Sequence, residues 1–249
     1  MNICIMSSDK RYIKLRELLC KKGYTVELIT DNKIPTCDVI ILSVRNEYSD
    51  EELRYIFSQV SKEATVLCGN SERIKRFFSG CVIDYSINED FLKANAYLTA
   101  EATVSLLHNL TEDSLYSKNI FIAGYGRIGK SLCKILSHLG ASVHVYARRN
   151  EVKQLVEADG FCSSDLDDCV NCQIIINTVP SIIFTNDLIC RIPNEAYLID
   201  LASSPYGFEN MQRVCIASGL PGKVLTNGAS KVVLDTILCA LSFTGKEHI

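Results

Sequence analysis

The segment that decides the fold is Asn119-Ile120-Phe121-Ile122-Ala123-Gly124-Tyr125-Gly126-Arg127-Ile128-Gly129. Five apolar or strand-favouring residues run into a glycine turn. A helical pattern follows, with Ile128, Leu132, Ile135, Leu136 and Leu139 on one face and Gly140 as its stop. Each glycine has a mechanical reason. Gly124 permits the tight turn, Gly126 lets backbone approach a pyrophosphate, and Gly129 lets helix and strand pack closely. Strand, turn, helix and a second strand at Ser142–Ala147 fit within about 30 residues, the dinucleotide-binding unit. A tight βα turn without a ligand is the plainer alternative.

Working outward, strand-like runs alternate with helical patterns from end to end, which predicts parallel sheets in βα units. Downstream, Gln173–Thr178, Tyr197–Leu201 and Lys223–Leu225 read as strands, and Ala229–Leu241 as a closing helix. Upstream, Asn2–Met6, Thr25–Ile29, Val39–Val44, Thr65–Cys68 and Val82–Tyr85 read as strands of a smaller sheet. Arg11–Lys22 is a helix stopped by Gly23, and Ser49 with Glu52 forms a capping box. The expected architecture is α/β with two doubly wound parallel-sheet domains. Residues 1–95 form a small flavodoxin-like domain. Residues 96–249 form a connecting helix, Thr99–Leu110 with Thr99 as its cap, plus a Rossmann-type NAD(P)-binding domain. The polar, aperiodic Asn109–Lys118 marks the passage between them, and the last helix is a candidate to pack back on the first domain.

Composition narrows the function classes. Of 249 residues, 47% are hydrophobic and 22% charged, as in ordinary globular proteins. A net charge of −3 offers no field to attract nucleic acid or an anionic membrane. No run approaches the ~20 apolar residues of a membrane span. Asp9, Lys10 and Arg11 interrupt the opening apolar strand, so the start does not read as a signal peptide. The 12 cysteines are scattered, and Cys169-Val170-Asn171-Cys172 is the one close pair, a weak metal signal without a second pair. Reduced structural thiols, a cytoplasmic location and no metal are expected.

The second strand of the nucleotide unit bears on the coenzyme. It ends His144-Val145-Tyr146-Ala147, followed by Arg148 and Arg149, where an NAD-selective site usually carries a carboxylate for the ribose. Two guanidinium groups suit a 2′-phosphate, so NADP(H) is expected, with NAD the alternative. One arginine stacked on adenine and the other solvated is the competing arrangement. Two further strand ends should line the crevice: Asn177-Thr178-Val179-Pro180, and Asp200-Leu201-Ala202-Ser203. The expected coenzyme contacts are therefore Gly124, Tyr125, Gly126, Arg127, Ile128, Gly129, Ala147, Arg148, Arg149, Thr178, Val179, Pro180 and Ala202.

A series of segments resembles the dipicolinate synthase A family, the dehydrogenase-like half of the spore dipicolinic acid enzyme of endospore-forming bacteria. It comprises Gly124–Gly129, Tyr146-Ala147-Arg148, Asn177-Thr178-Val179-Pro180-Ser181, Asp200-Leu201-Ala202-Ser203 and Gly219-Leu220-Pro221-Gly222. Asn95-Ala96-Tyr97-Leu98-Thr99-Ala100-Glu101 is similar to that family's Asn-Ser-Ile-Pro-Thr-Ala-Glu. The resemblance implies an oxidoreductase that forms pyridine-2,6-dicarboxylate from dihydrodipicolinate or its hydrated precursor during sporulation. It also implies the flavoprotein-like dipicolinate synthase B as partner and the mother-cell cytoplasm as location. Departures cluster near the expected substrate cleft. Ser7-Ser8-Asp9 replaces Gly-Gly-Asp, Leu98 replaces Pro, and Leu225-Thr226-Asn227-Gly228 replaces Ala-Pro-Lys-Thr.

A dicarboxylate substrate needs cationic or amide donors. Lys223, Asn95, Thr99 and Arg45 are the catalytic candidates; Arg45 reads equally as a solvated loop residue. Glu101 fits better as a first-turn acid favouring the helix dipole than as a proton acceptor. His108, His138, His144 and His248 are given no catalytic role. Two other functions stay open. A 2-hydroxyacid dehydrogenase uses an Arg shortly after the strand that Asp200 closes, and a Glu–His pair; here Ser203-Ser204-Pro205 follows and no histidine lies between His144 and His248. The second is a coenzyme-binding regulatory protein without turnover. Oligomeric state, self-association included, is left open.

Overall fold

In the computed structural model, residues 1–30, 33–45 and 48–243 are described. The chain divides into two compact units, 1–95 with 221–249, and 96–220. Residues 221–243 thus fall with the first unit rather than the second.

The first unit holds β1 (Asn2–Met6), α1 (Lys10–Lys21), β2 (Thr25–Leu28), β3 (Val39–Leu42), α2 (Asp50–Ser58), β4 (Thr65–Cys68), α3 (Ser71–Ile74) and β5 (Cys81–Asp84). Its sheet is parallel throughout in the order β2-β1-β3-β4-β5. β3 and β4 are buried along their full length, as central strands covered on both faces must be, whereas β2 and β5 are edge strands only partly covered. Asp9 caps α1 by accepting the Arg11 N–H at 2.9 Å, and Gly23, at φ 90°, ends the connection to β2.

α1 turns Tyr12, Leu15 and Leu19 into the core. The face they meet comes from the far end of the chain. After α8 (Leu220–Val224), α9 (Thr226–Ser242) places Val233, Leu234, Ile237, Ala240 and Leu241 in the same apolar cluster. Each fully buried Leu or Ile there contributes on the order of 1.5–3 kcal/mol. The Ser230 hydroxyl donates to the Arg11 carbonyl at 2.9 Å, across 219 positions of sequence.

α4 (Glu89–Thr111) is one 23-residue helix, and the division at Asn95 falls inside it. The expected helix at Thr99–Leu110 is therefore corrected. The Asn88 Oδ1 accepts the Phe91 N–H at 2.9 Å and opens the helix, while Thr99 lies buried in its middle. The segment Phe91–Leu98 mixes apolar and polar residues without a clean stripe, which hides its first three turns.

The second unit contains β6 (Asn119–Ala123), α5 (Arg127–His138), β7 (Ser142–Tyr146), α6 (Asn150–Ala158), β8 (Cys162–Ser164), β9 (Ile174–Asn177), α7 (Asn186–Arg191), β10 (Tyr197–Asp200) and β11 (Val214–Ile216). The parallel order is β11-β10-β9-β6-β7-β8, a doubly wound Rossmann-type sheet whose direction of growth reverses between β6 and β9. β8 and β11 are three-residue edge strands that the apolar pattern does not announce. Lys223–Leu225, expected as a strand, instead has Lys223 and Val224 in the helical turn α8, because the sheet already ends at β11.

Candidate functional site

Register aligns the strand ends of the second sheet. Ala123 pairs with both Tyr146 and Asn177, and Asn177 pairs with Asp200. The segments after them consequently emerge in one row at the carboxyl edge. A crevice of about 310 Å³ opens there.

Its floor is the glycine turn. Gly124 has φ 101°, a left-handed conformation costly to any residue with a side chain. A Cβ on it would lie 2.4 Å from Thr178 Oγ1 and 2.8 Å from Val179 Cγ2. The Gly124 N–H donates to the Tyr146 carbonyl at 2.9 Å, and the Thr178 hydroxyl to the Ala123 carbonyl at 2.8 Å, so the turn is tied to β7 and β9 together. A Cβ on Gly129 would sit 2.2 Å from the Gly124 carbonyl oxygen; its absence lets α5 close onto the turn. Gly126 differs, because a Cβ there would meet nothing within 4 Å. It faces open space at the start of α5, whose N-terminus carries no side-chain cap. Uncapped amides beside an open cradle at a helix N-terminus fit a phosphate group.

Tyr125 lines the crevice beside it and is held from the end of α6. Its hydroxyl donates to Asp159 Oδ2 at 2.8 Å, its ring lies edge-on to Phe161, and the Lys130 ammonium sits 5.2 Å from the ring centre. Burial, and then the Asp159 carboxylate, push the phenol above its ordinary value, so it stays a neutral donor anchoring the turn to the end of α6.

At the β7 end of the crevice are Tyr146, Ala147, Arg148, Arg149 and, from the first turn of α6, Val152. Among the described residues no carboxylate lines it. Arg148 and Arg149 are exposed, and neither is held in an ion pair among the described residues. The opposite wall is Thr178, Val179, Pro180, Ser181 and Ile183.

That wall hangs on a buried polar network. Asn177 and Asp200 are both 0% exposed. The Asn177 side chain accepts the Val179 N–H at 3.0 Å, and donates to the Val179 carbonyl at 2.9 Å and to Asp200 Oδ1 at 3.0 Å. Asp200 also accepts the Ala202 N–H at 2.9 Å and the Gly207 N–H at 2.7 Å. The loop 201–207, with its cis Ser204-Pro205 bond, is thereby fastened to the end of β9. A Cβ on Gly207 would come 2.3 Å from Asn177 Nδ2, so only glycine fits.

Of the expected coenzyme contacts, Gly124, Tyr125, Gly126, Ala147, Arg148, Arg149, Thr178, Val179 and Pro180 line the crevice. Arg127, Ile128 and Gly129 begin α5 and do not, and Ala202 is buried against Asp200 instead. Tyr146, Val152, Ser181 and Ile183 also line it and are not among the expected contacts. Val152 carried a signal, an apolar residue in the first turn of the helix after β7; Ile183 carried none. The catalytic candidates are divided between the two units. Arg45 is exposed after β3, Asn95 is half-buried within α4, and Lys223 is exposed on α8, all in the first unit; Thr99 is buried in the second. None of them lines the crevice. Glu101 is exposed on α4, and His248 lies outside the described residues.

Among the described residues no group of three His, Cys, Asp or Glu could hold a metal, and no helix is long and apolar enough to cross a membrane. Cys169 and Cys172 are buried free thiols, pushed by burial up to about 12 and about 11, the direction opposite to a metal-binding thiolate.

Comparison with known proteins agrees with this geometry. Residues 87–205 match the family model of the D-isomer specific 2-hydroxyacid dehydrogenase, NAD binding domain. Dipicolinate synthase A of Bacillus subtilis (strain 168) is 26% identical over 159 residues, 60% of this chain and 54% of that one. The match thus spans about half the length of the relative. The crystal structure of dipicolinate synthase A from Bacillus halodurans superposes with a TM-score of 0.80 at 20% identity, covering 96% of this chain and 97% of the other. The apo D-lactate dehydrogenase of Escherichia coli superposes at 0.65 with 11% identity, covering 99% and 98%. Residues 87–205 are therefore similar to the NAD-binding domain of the D-isomer specific 2-hydroxyacid dehydrogenases, and the chain resembles dipicolinate synthase A in sequence and fold.

Proposed function

We propose that this protein is the pyridine-nucleotide-dependent component of an enzyme that forms pyridine-2,6-dicarboxylate from dihydrodipicolinate or its hydrated precursor. NADP(H) is the preferred coenzyme, and the flavoprotein-like dipicolinate synthase B is the partner. The observation that carries the reading is the crevice itself: open space at Gly126, an uncapped α5 and two exposed guanidinium groups at the end of β7. When bound, a nicotinamide coenzyme supplies the hydride acceptor that aromatising the ring requires. The protein's own residues do the rest. The Gly126 cradle receives the pyrophosphate, Arg148 and Arg149 receive a 2′-phosphate, and the Asn177-anchored wall holds the ring and limits water. The likeness to dipicolinate synthase A supports the substrate class, the partner and a setting in the mother-cell cytoplasm of a sporulating bacterium.

The 2-hydroxyacid dehydrogenase reading is less well supported. Ser203-Ser204-Pro205 follows Asp200, and no histidine lies between His144 and His248 to form the Glu–His pair. Calorimetric titration with NADPH and NADH tests the coenzyme: tighter NADPH binding is expected, and tighter NADH binding reverses the assignment. Absorbance of pyridine dicarboxylate, followed after mixing the protein with dipicolinate synthase B and the lysine-pathway precursor, tests the reaction. Absence of NADP reduction in that mixture would reassign the protein to a coenzyme-binding regulatory role.

A further inference from the structure

The first unit has a carboxyl-edge cavity of its own. In the order β2-β1-β3-β4-β5 the sheet grows both ways from β1, and doubly wound sheets take ligands beyond the strand ends at such a switch point. A cavity of about 380 Å³ lies there. Hydroxyl groups reach it from three strand ends: Ser7 and Ser8 after β1, Thr30 after β2, and Ser43 after β3.

Ser43 is the informative one. It is 9% exposed, yet its hydroxyl has no hydrogen-bond partner among the described residues. Buried hydroxyls are almost always paired, so one left unpaired on a cavity wall calls for a partner inside the cavity. The Ser7 oxygen accepts the Asp9 N–H at 3.2 Å, which leaves its proton free to donate. Ser8 and Thr30 are exposed and likewise carry free donors.

The strand end that presents Ser43 is held on both sides. The Val44 N–H donates to the Tyr12 hydroxyl at 2.9 Å. That hydroxyl meets the Tyr85 hydroxyl at 2.5 Å, and Tyr85 donates to the Leu42 carbonyl at 2.9 Å. Gly69 packs against the same backbone, where a Cβ would fall 2.1 Å from the Val44 carbonyl oxygen. The residues flanking Ser43 are thus fixed before any ligand arrives, which lowers the cost of binding.

Charge narrows the ligand. Converging O–H donors suit an oxyanion. Among the described residues none that lines it is basic, and the one charged group, Glu52, is exposed with its carboxylate on the Ser49 N–H at 2.7 Å. Beside that negative charge a carboxylate group, which brings one charge to the hydroxyls even when the acid carries a second carboxylate farther off, is tolerated better than a phosphate dianion, which brings both charges to the same point. We propose that this cavity binds the carboxylate of a small organic acid through the hydroxyls of Ser43, Ser7 and Ser8. The site lies wholly in the first unit, whereas the coenzyme crevice belongs to the second.

The test is titration of the full-length protein with pyridine-2,6-dicarboxylate and, separately, with inorganic phosphate, followed by calorimetry. Saturable dicarboxylate binding is expected, weakened about tenfold or more in Ser43→Ala, with NADPH affinity unchanged. Ser8→Ala, at an exposed position, should weaken the same binding and supplies the comparison if Ser43→Ala proves unstable. No saturable dicarboxylate binding, affinity undiminished in both serine variants, or phosphate binding as tightly as the dicarboxylate would overturn the proposal. NADPH titration in the same samples reports on the crevice separately, so failure of one site is told from failure of the other.

Discussion

Asp200→Asn isolates the network that holds the crevice wall. The substitution keeps the shape of the side chain and exchanges one oxygen for an NH2 group. All the partners of Asp200 are donors: Asn177 Nδ2 and the Ala202 N–H on Oδ1, and the Gly207 N–H on Oδ2. An amide nitrogen in the Oδ1 position would confront two N–H groups, and in the Oδ2 position only one. The second orientation is the less costly. It removes one charge-assisted hydrogen bond of about 1.5–3 kcal/mol and leaves a buried donor facing a donor at a further cost of about 1–3 kcal/mol. Some relaxation of the loop 201–207 offsets this, so a loss of roughly 2–4 kcal/mol is expected. Urea unfolding of the second unit measures it, and amide exchange at Gly207 localises it. NADPH affinity should fall about tenfold, because the Thr178–Pro180 wall loses the partner of its Asn177 anchor. An unchanged unfolding midpoint, together with unchanged protection of the Gly207 amide, would refute the reasoning.

Other perturbations address separate parts of the molecule. Gly129→Ala places a Cβ 2.2 Å from the Gly124 carbonyl oxygen and forces α5 away from the turn; calorimetry should show at least tenfold weaker binding of both coenzymes, and unfolding a loss of about 1–3 kcal/mol. Arg148→Ala should weaken NADPH by about tenfold while leaving NADH within about twofold, and equal losses would count against a 2′-phosphate contact. Asp9 answers to acid. Partial burial pushes its carboxyl up, but hydrogen bonds from the Arg11 side chain and backbone outweigh this and hold it below the ordinary range. Its folded value is depressed, so its stabilisation is present above the unfolded value of about 3.9 and is lost as pH falls below that toward the folded value. Melting temperature of the wild type should therefore drop more steeply below about pH 4 than that of Asp9→Asn.

The crevice was legible in the sequence where chemistry is local. A strand running into Gly124–Gly129, an amphipathic helix after it, and a second strand ending before Arg148 and Arg149 are patterns of neighbouring residues, each with its own steric or electrostatic reason. Strand ends at Asn177 and Asp200 were legible for the same reason, although nothing in their spacing said that the two side chains bond each other. Val152 could have been found from its helix position; Ile183 could not. Edge strands β8 and β11 escaped because three residues cannot display a period, and Lys223 was misplaced because a short apolar run does not distinguish a strand from a helical turn.

By itself the sequence determined the central strands, the parallel βα order and the glycine turn, since backbone conformation and hydrophobic period act over a few residues. Only the tertiary structure decided which distant groups meet: α9 covering α1, Asp200 accepting Gly207, and the Tyr12–Tyr85 pair fixing the backbone around Ser43. An apolar face or a buried donor requires a partner but does not name one. The partner is chosen by the packing of whole layers, where close approach and hydrogen-bond satisfaction are settled together.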